Sequence, residues 1–188
     1  YFSKYELKKI YGIDIQDEVI KIAKRSAKYN KLSSKLSFIN LDVNHALKEF
    51  GTETFDYIVS NPPYMKLGSG TINPADNLAI ARHEVKCTLE DIVKASNQLV
   101  KYRGKVSYVY RTQRLAELLS LLEKYNLSCK RMQLVHSYKD SEAKLVLIEA
   151  IKGGGVGLEV SSPLVLYDQN GNYTEEVKKI YYPEGRTN

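Results

Sequence analysis

The 188 residues contain 43% hydrophobic and 27% charged side chains, an ordinary balance for one folded domain of this length. No run of about 18 apolar residues is present, which excludes a membrane-spanning helix, and residues 1–11 mix Lys and Glu with apolar side chains, unlike a secretory signal. A cytoplasmic protein is therefore expected, and its net charge of +6 favours a polyanionic partner. Cys87 and Cys129 lie far apart with no CxxC spacing, so neither a metal site nor a disulfide pattern is read there.

In chain order, residues 8–15 (KKIYGIDI) read as a short buried strand ending in an acid. Over 17–30, Val19, Ile20, Ala23 and Ala27 recur at helical spacing, with Asp17 and Glu18 in the first turn. A second strand spans 36–41 and ends at Asp42, and a short helix over 44–50 is stopped by Gly51. Residues 55–60 (FDYIVS) form a third strand that runs into Asn61-Pro62-Pro63-Tyr64. After a polar loop over 65–78, Thr88 caps a helix carrying Leu89, Ile92, Val93, Ala95 and Leu99, with Asp91 in the capping-box position. Then follow a strand at 105–110, a Leu-rich helix at 113–125 and strands at 128–136 and 143–151.

This alternation predicts a mainly parallel α/β sheet. The last two strands are separated by residues 137–142 only, too few for a parallel crossover, so they should pair as an antiparallel hairpin at the sheet edge. Residues 1–152 are expected to form the domain and 153–188 an extension packed on it, with a strand-like 164–167 and a turn at 168–172. A nucleotide-binding sheet should open with a strand and a Gly-rich turn. Neither the 68–70 nor the 153–157 glycine cluster fits that place, and both read as ordinary turns. The sequence is therefore expected to start inside the domain, with residues 1–6 closing a first helix.

Asp14 and Asp42 end successive strands. An acid at such a place accepts hydrogen bonds from a cofactor's ribose hydroxyls, or for Asp42 from its adenine amine; a helix-capping role is the alternative for each. The residues that follow them, Ile15 and Val43, belong to the same candidate cofactor contacts. The most specific pattern is Asn61-Pro62-Pro63-Tyr64. An arylamine is a weak nucleophile because its lone pair is delocalised into the ring. Two acceptors, the Asn61 side-chain oxygen and the Pro62 carbonyl, would take both N–H groups and return that lone pair to nitrogen. Both prolines have a fixed φ, and Pro62 restricts Asn61 to extended backbone. A rigid acceptor pair then needs little reorganisation as charge develops. Tyr64 can stack on the base that carries the amine. Arg82, His83 and Lys86, and further on Arg111 and Arg114, are candidate phosphate contacts; a structural role is the alternative for His83, and a solvated helix start for Arg111 and Arg114. Lys130 and Arg131 read as surface charge, and most of the 15 tyrosines as packing.

Tyr11-Gly12-Ile13-Asp14-Ile15-Gln16, the Ser60–Tyr64 segment, Ala81-Arg82-His83-Glu84-Val85 with residues 87–91, and Gln133-Leu134-Val135-His136 together resemble the bacterial valine-tRNA adenine-N(6)-methyltransferase family. The resemblance runs over nearly the whole chain. It implies the Rossmann-like class I methyltransferase fold with S-adenosyl-L-methionine as cofactor. It further implies Asp14 and Asp42 on that cofactor, Asn61, Pro62 and Tyr64 around the target base, and a tRNA substrate; from the sequence alone no metal or membrane partner is expected, and a monomer is the default expectation for the oligomeric state. The Asn-Pro-Pro-Tyr motif is shared with DNA and protein-glutamine methyltransferases, so it fixes the reaction type and not the substrate. The absent Gly-rich loop is the departure from the family pattern.

Overall fold

The computed structural model describes residues 7–63 and 87–182. Eight strands and five helices follow one another there: β1 (Ile10–Asp14), α1 (Asp17–Tyr29), β2 (Leu36–Asn40), α2 (Ala46–Phe50), β3 (Phe55–Ser60), α3 (Leu89–Leu99), β4 (Val100–Arg111), α4 (Leu115–Lys124), β5 (Leu127–His136), β6 (Ala143–Lys152), β7 (Glu159–Val160), β8 (Leu164–Val165) and α5 (Glu175–Tyr181). Short 3₁₀ turns, Val43–His45 and Thr112–Arg114, lead into α2 and α4.

The strands form two sheets. β1 and β2 pair in parallel; the larger sheet has the order β3-β4-β6-β5-β7, with β8 also on β5. β3 and β4 run parallel, β6 is antiparallel to both β4 and β5, and β7 and β8 run parallel to β5. The expected hairpin is present, but its antiparallel strand stands in the middle of the sheet order rather than at the edge, between β4 and β5, with β7 and β8 outside β5. β1 and β3 are not hydrogen-bonded to each other, so the two sheets meet through side chains. The Tyr11 ring lies 5.4 Å from Phe50 and 5.8 Å from Phe55, which brings the amino-terminal ends of β1 and β3 together.

The core lies between the larger sheet and helices α3 and α4. Val93, Val100, Val106, Leu118, Leu122, Leu127, Val146, Ile148 and Ala150 are buried in one cluster with Tyr108 and Tyr110. Each fully buried Val or Leu contributes about 1.5–3 kcal/mol over an exposed one. α3 starts as expected: the Thr88 hydroxyl accepts from the Asp91 amide and the Asp91 carboxylate accepts from the Thr88 amide.

Four elements differ from expectation. β4 begins at Val100, directly on the end of α3, because its register jumps from Phe55–Val100 to Tyr57–Lys105; the bulge places Arg103 at φ +64° beside Gly104, which in sequence looks like a strand breaker. Strand β1, read as buried, has no fully buried residue and leaves Tyr11 42% exposed; β3 also leaves Tyr57 47% and Val59 69% exposed on one face, while Ile58 on the other packs into the core. α5 is an additional helix, capped by Thr174, whose Val177 is buried with Val135 and Leu164 in a second small cluster.

Candidate methyl-transfer site

The candidate residues gather along one rim of the fold, at the carboxyl ends of its parallel strands. Asp14 is the last residue of β1, and Asp42 caps the 3₁₀ turn that follows β2. Asn61 follows the last residue of β3, and Arg111 ends β4. In open α/β sheets, ligands bind in the crevice at this end.

Local hydrogen bonds fix both carboxylates. Asp14 Oδ1 accepts from the Gln16 amide at 2.8 Å. Asp42 Oδ1 accepts from the amide and side-chain nitrogens of Asn44 at 2.9 and 3.1 Å. Asp14 therefore holds the β1–α1 turn without being the N-cap residue of α1, which is Gln16. At Asp42 one oxygen serves the turn, so the capping role leaves the other oxygen uncommitted. In each side chain the second oxygen takes no hydrogen bond among the described residues. Asn40, which the sequence did not single out, donates to the carbonyls of Asp14 at 3.1 Å and Ile15 at 2.8 Å, so the end of β2 holds the end of β1. An Asn at a strand terminus, one position before the Leu41-Asp42 pair, is the signal that would have found it. Val43 is half-buried against the main core and anchors the turn below Asp42.

Burial pushes the Cys87 thiol up to about 12, reinforced by the carboxylates of Asp91 and Asp42. This places Asp42 near the start of α3, on the same rim as the end of β3. Pro62 is fully buried and seats the motif, whereas Asn61 and Pro63 are exposed. Tyr64, Arg82, His83 and Lys86 lie outside the described residues. Arg114 does not face solvent: its guanidinium forms a two-pronged pair with Glu117, 2.9 Å on each arm, and lies 5.4 Å from the Tyr110 ring centre. Arg111 is exposed at the rim.

The glycine cluster at 153–157 sits at the opposite rim, after the carboxyl end of antiparallel β6. Lys130, read from sequence as surface charge, donates to the carbonyls of Gly155, Val156 and Gly157 at 2.7, 3.2 and 3.2 Å and so holds that turn. Gly153 has φ +63°, and a Cβ there would meet the Tyr102 ring. The cluster is a structural turn, remote from the candidate site. No group of three or more metal-ligating side chains occurs among the described residues, and no described helix is long and apolar enough to cross a membrane.

Residues 3–150 match the family model of the methyltransferase domain. The chain belongs to that family. Among curated methyltransferases it is 24% identical to the tRNA1(Val) (adenine(37)-N6)-methyltransferase of Porphyromonas gingivalis, over 96% of this chain and 72% of that protein. It is 27% identical to the enzyme of the same name from Aeromonas hydrophila, over 86% of this chain and 66% of that one. Among solved methyltransferase structures, a predicted O-methyltransferase from Agrobacterium tumefaciens superposes with a TM-score of 0.71 at 21% identity, covering 92% of this chain and 76% of its own. A geranyl diphosphate C-methyltransferase from Streptomyces coelicolor, solved with S-adenosyl-L-homocysteine, gives 0.56 at 10% identity over 80% of this chain and 66% of its own. At these identities the structural likeness establishes the fold of the methyltransferase domain. The rim described above is the crevice end of that fold.

Proposed function

We propose that the chain transfers a methyl group from S-adenosyl-L-methionine to the exocyclic N6 amine of adenine in tRNA. The observation that carries this reading is the Asn61-Pro62 pair, set by a fully buried proline ring at the end of β3, on the rim that also presents Asp14 and Asp42. The names of the curated relatives support adenine in tRNA as the target, and the chain's charge of +6 suits a polyanion.

The residues fit the cofactor. Asp14 and Asp42 each keep one carboxylate oxygen clear of their own turns, as needed to accept hydroxyl or amine hydrogens. Bound S-adenosyl-L-methionine supplies a sulfonium methyl open to in-line displacement. Asn61 Oδ1 and the Pro62 carbonyl accept the two N–H groups of the adenine amine and draw its lone pair out of conjugation. They also fix the nitrogen for attack, so positioning supplies most of the rate. As the N–C bond forms, positive charge develops on that nitrogen, and the same acceptors stabilise it. The proton then leaves to solvent, since the methylated amine is a weak base.

Asn61→Ala removes one acceptor of the pair. By analogy with removal of one preorganised group at other polar transition states, kcat should fall by about 10²–10³-fold. Cofactor affinity measured by calorimetry should change little. Unchanged turnover would remove Asn61 from the mechanism.

A further inference from the structure

Tyrosines form a continuous row on the surface. Ring centres lie 5.7 Å apart from Tyr138 to Tyr167, 5.3 Å from Tyr167 to Tyr173 and 5.6 Å from Tyr173 to Tyr181, with Tyr182 a further 6.4 Å on. Tyr167 and Tyr173 are nearly parallel, 14° apart. The row starts at the rim that carries the candidate site: Tyr138 stands just past the end of β5, and the backbone of 166–167 continues the parallel pairing of β8 beside 136–137. From Asn61 the rim passes β4 and β6 to reach β5, three strand spacings or roughly 14 Å. Nucleotides flanking a base held at Asn61 can span that distance.

Packing alone does not account for the row. α5 is already pinned by buried Val177 and by Thr174, whose hydroxyl donates to the Val165 carbonyl. Yet Tyr138, Tyr173 and Tyr181 remain 49%, 38% and 63% exposed. Aromatic faces in sequence along a surface form a base-stacking platform, because every base has a π-face. Lys139 follows Tyr138 directly in the chain and forms no ion pair among the described residues.

We propose that the exposed Tyr138, Tyr173 and Tyr181, braced by the half-buried Tyr167 between them, form a stacking platform for unpaired nucleotides of the RNA substrate adjoining the target adenine. The assignment rests on the reading of the chain as an RNA methyltransferase, and it adds a second, non-catalytic contact surface outside the crevice.

The test is fluorescence anisotropy of the full chain with a labelled, adenine-containing single-stranded RNA and with a duplex of the same sequence. The variants are Tyr173→Leu and Tyr181→Leu singly and together, Tyr173→Phe and Tyr181→Phe, and Tyr29→Leu as an exposed tyrosine away from the row. Melting curves verify that each is folded. The platform predicts preference for the single strand, about tenfold weaker binding for each Leu change, and little loss for the Phe changes or Tyr29→Leu. Single-strand binding by the Leu variants equal to that of the parent overturns it, as does a parent that binds no RNA. If the Leu variants bind more weakly but no RNA is methylated, the platform stands and the adenine reading fails.

Discussion

Asp14 and Asp42 each have one oxygen committed to their own turn and one that takes no hydrogen bond among the described residues. For Asp14 that division gives a specific expectation. Asp14→Asn keeps an acceptor for the Gln16 amide, 2.8 Å away, and so preserves the turn. It loses the charge and the second acceptor, so the dissociation constant for S-adenosyl-L-methionine should rise about tenfold to a hundredfold, the range of one or two charge-assisted hydrogen bonds. Calorimetry giving an unchanged constant would take Asp14 out of the cofactor site. Much at this scale was legible in the sequence, since an acid after an apolar strand and Asn-Pro-Pro after another are local patterns. The pairing of Lys130 was not, because it holds carbonyls 25 or more residues away; Asn40 is marked by its place at a strand end, but its reach back across a helix to Asp14 is not. Glu117 is close in sequence to Arg114, but only the turn into α4 shows that the pair closes.

Elements carry the next set of consequences. The capping box at Thr88 fixes where α3 begins, and with it the wall of the rim beside Asp42. Thr88→Ala should cost about 1 kcal/mol in denaturant unfolding. Leu118, fully buried where α4 meets the sheet, should cost about 2–5 kcal/mol when cut to Ala. A Leu118→Ala variant as stable as the parent would contradict the placement of the core. Most helices and strands were readable from periodicity and caps. A seven-residue helix such as α5 offers too little periodicity to be read, although Thr174 followed by Glu175 and Glu176 is a recognisable start. Gly104 looks like the break before β4 in sequence, whereas it lies inside a bulge that only pairing with β3 reveals.

At the scale of the whole molecule, the division of the strands into two sheets and the exposed face of β3 could not be read from composition. An apolar strand looks buried until its neighbours are known, and Tyr57 and Val59 show that burial belongs to the pairing and not to the segment. Buried titrating groups also give the molecule a pH signature. The Cys87 thiol ionises near 9.0 when unfolded and near 12 when folded, and burial likewise raises the Tyr108 phenol above its ordinary value. The unfolded chain therefore loses these protons first. Their contribution to stability is complete below about pH 9 and declines as pH rises toward 12. Thermal melting should show a falling midpoint from pH 8 to about pH 11, and Cys87→Ala should flatten part of that slope. A midpoint independent of pH over that range would contradict the burial of both groups.

The central claim, methyl transfer to adenine in tRNA, is tested most directly by where the methyl group goes. The protein is incubated with methyl-labelled S-adenosyl-L-methionine and, in parallel, with total tRNA or with protein substrates rich in glutamine. The RNA is then digested and its nucleosides separated. The predicted result is label in N6-methyladenosine from tRNA, incorporated about 10²–10³-fold more slowly by Asn61→Ala. Label in protein with none in tRNA would contradict it, and would turn the same Asn61-Pro62 acceptor pair toward a glutamine amide.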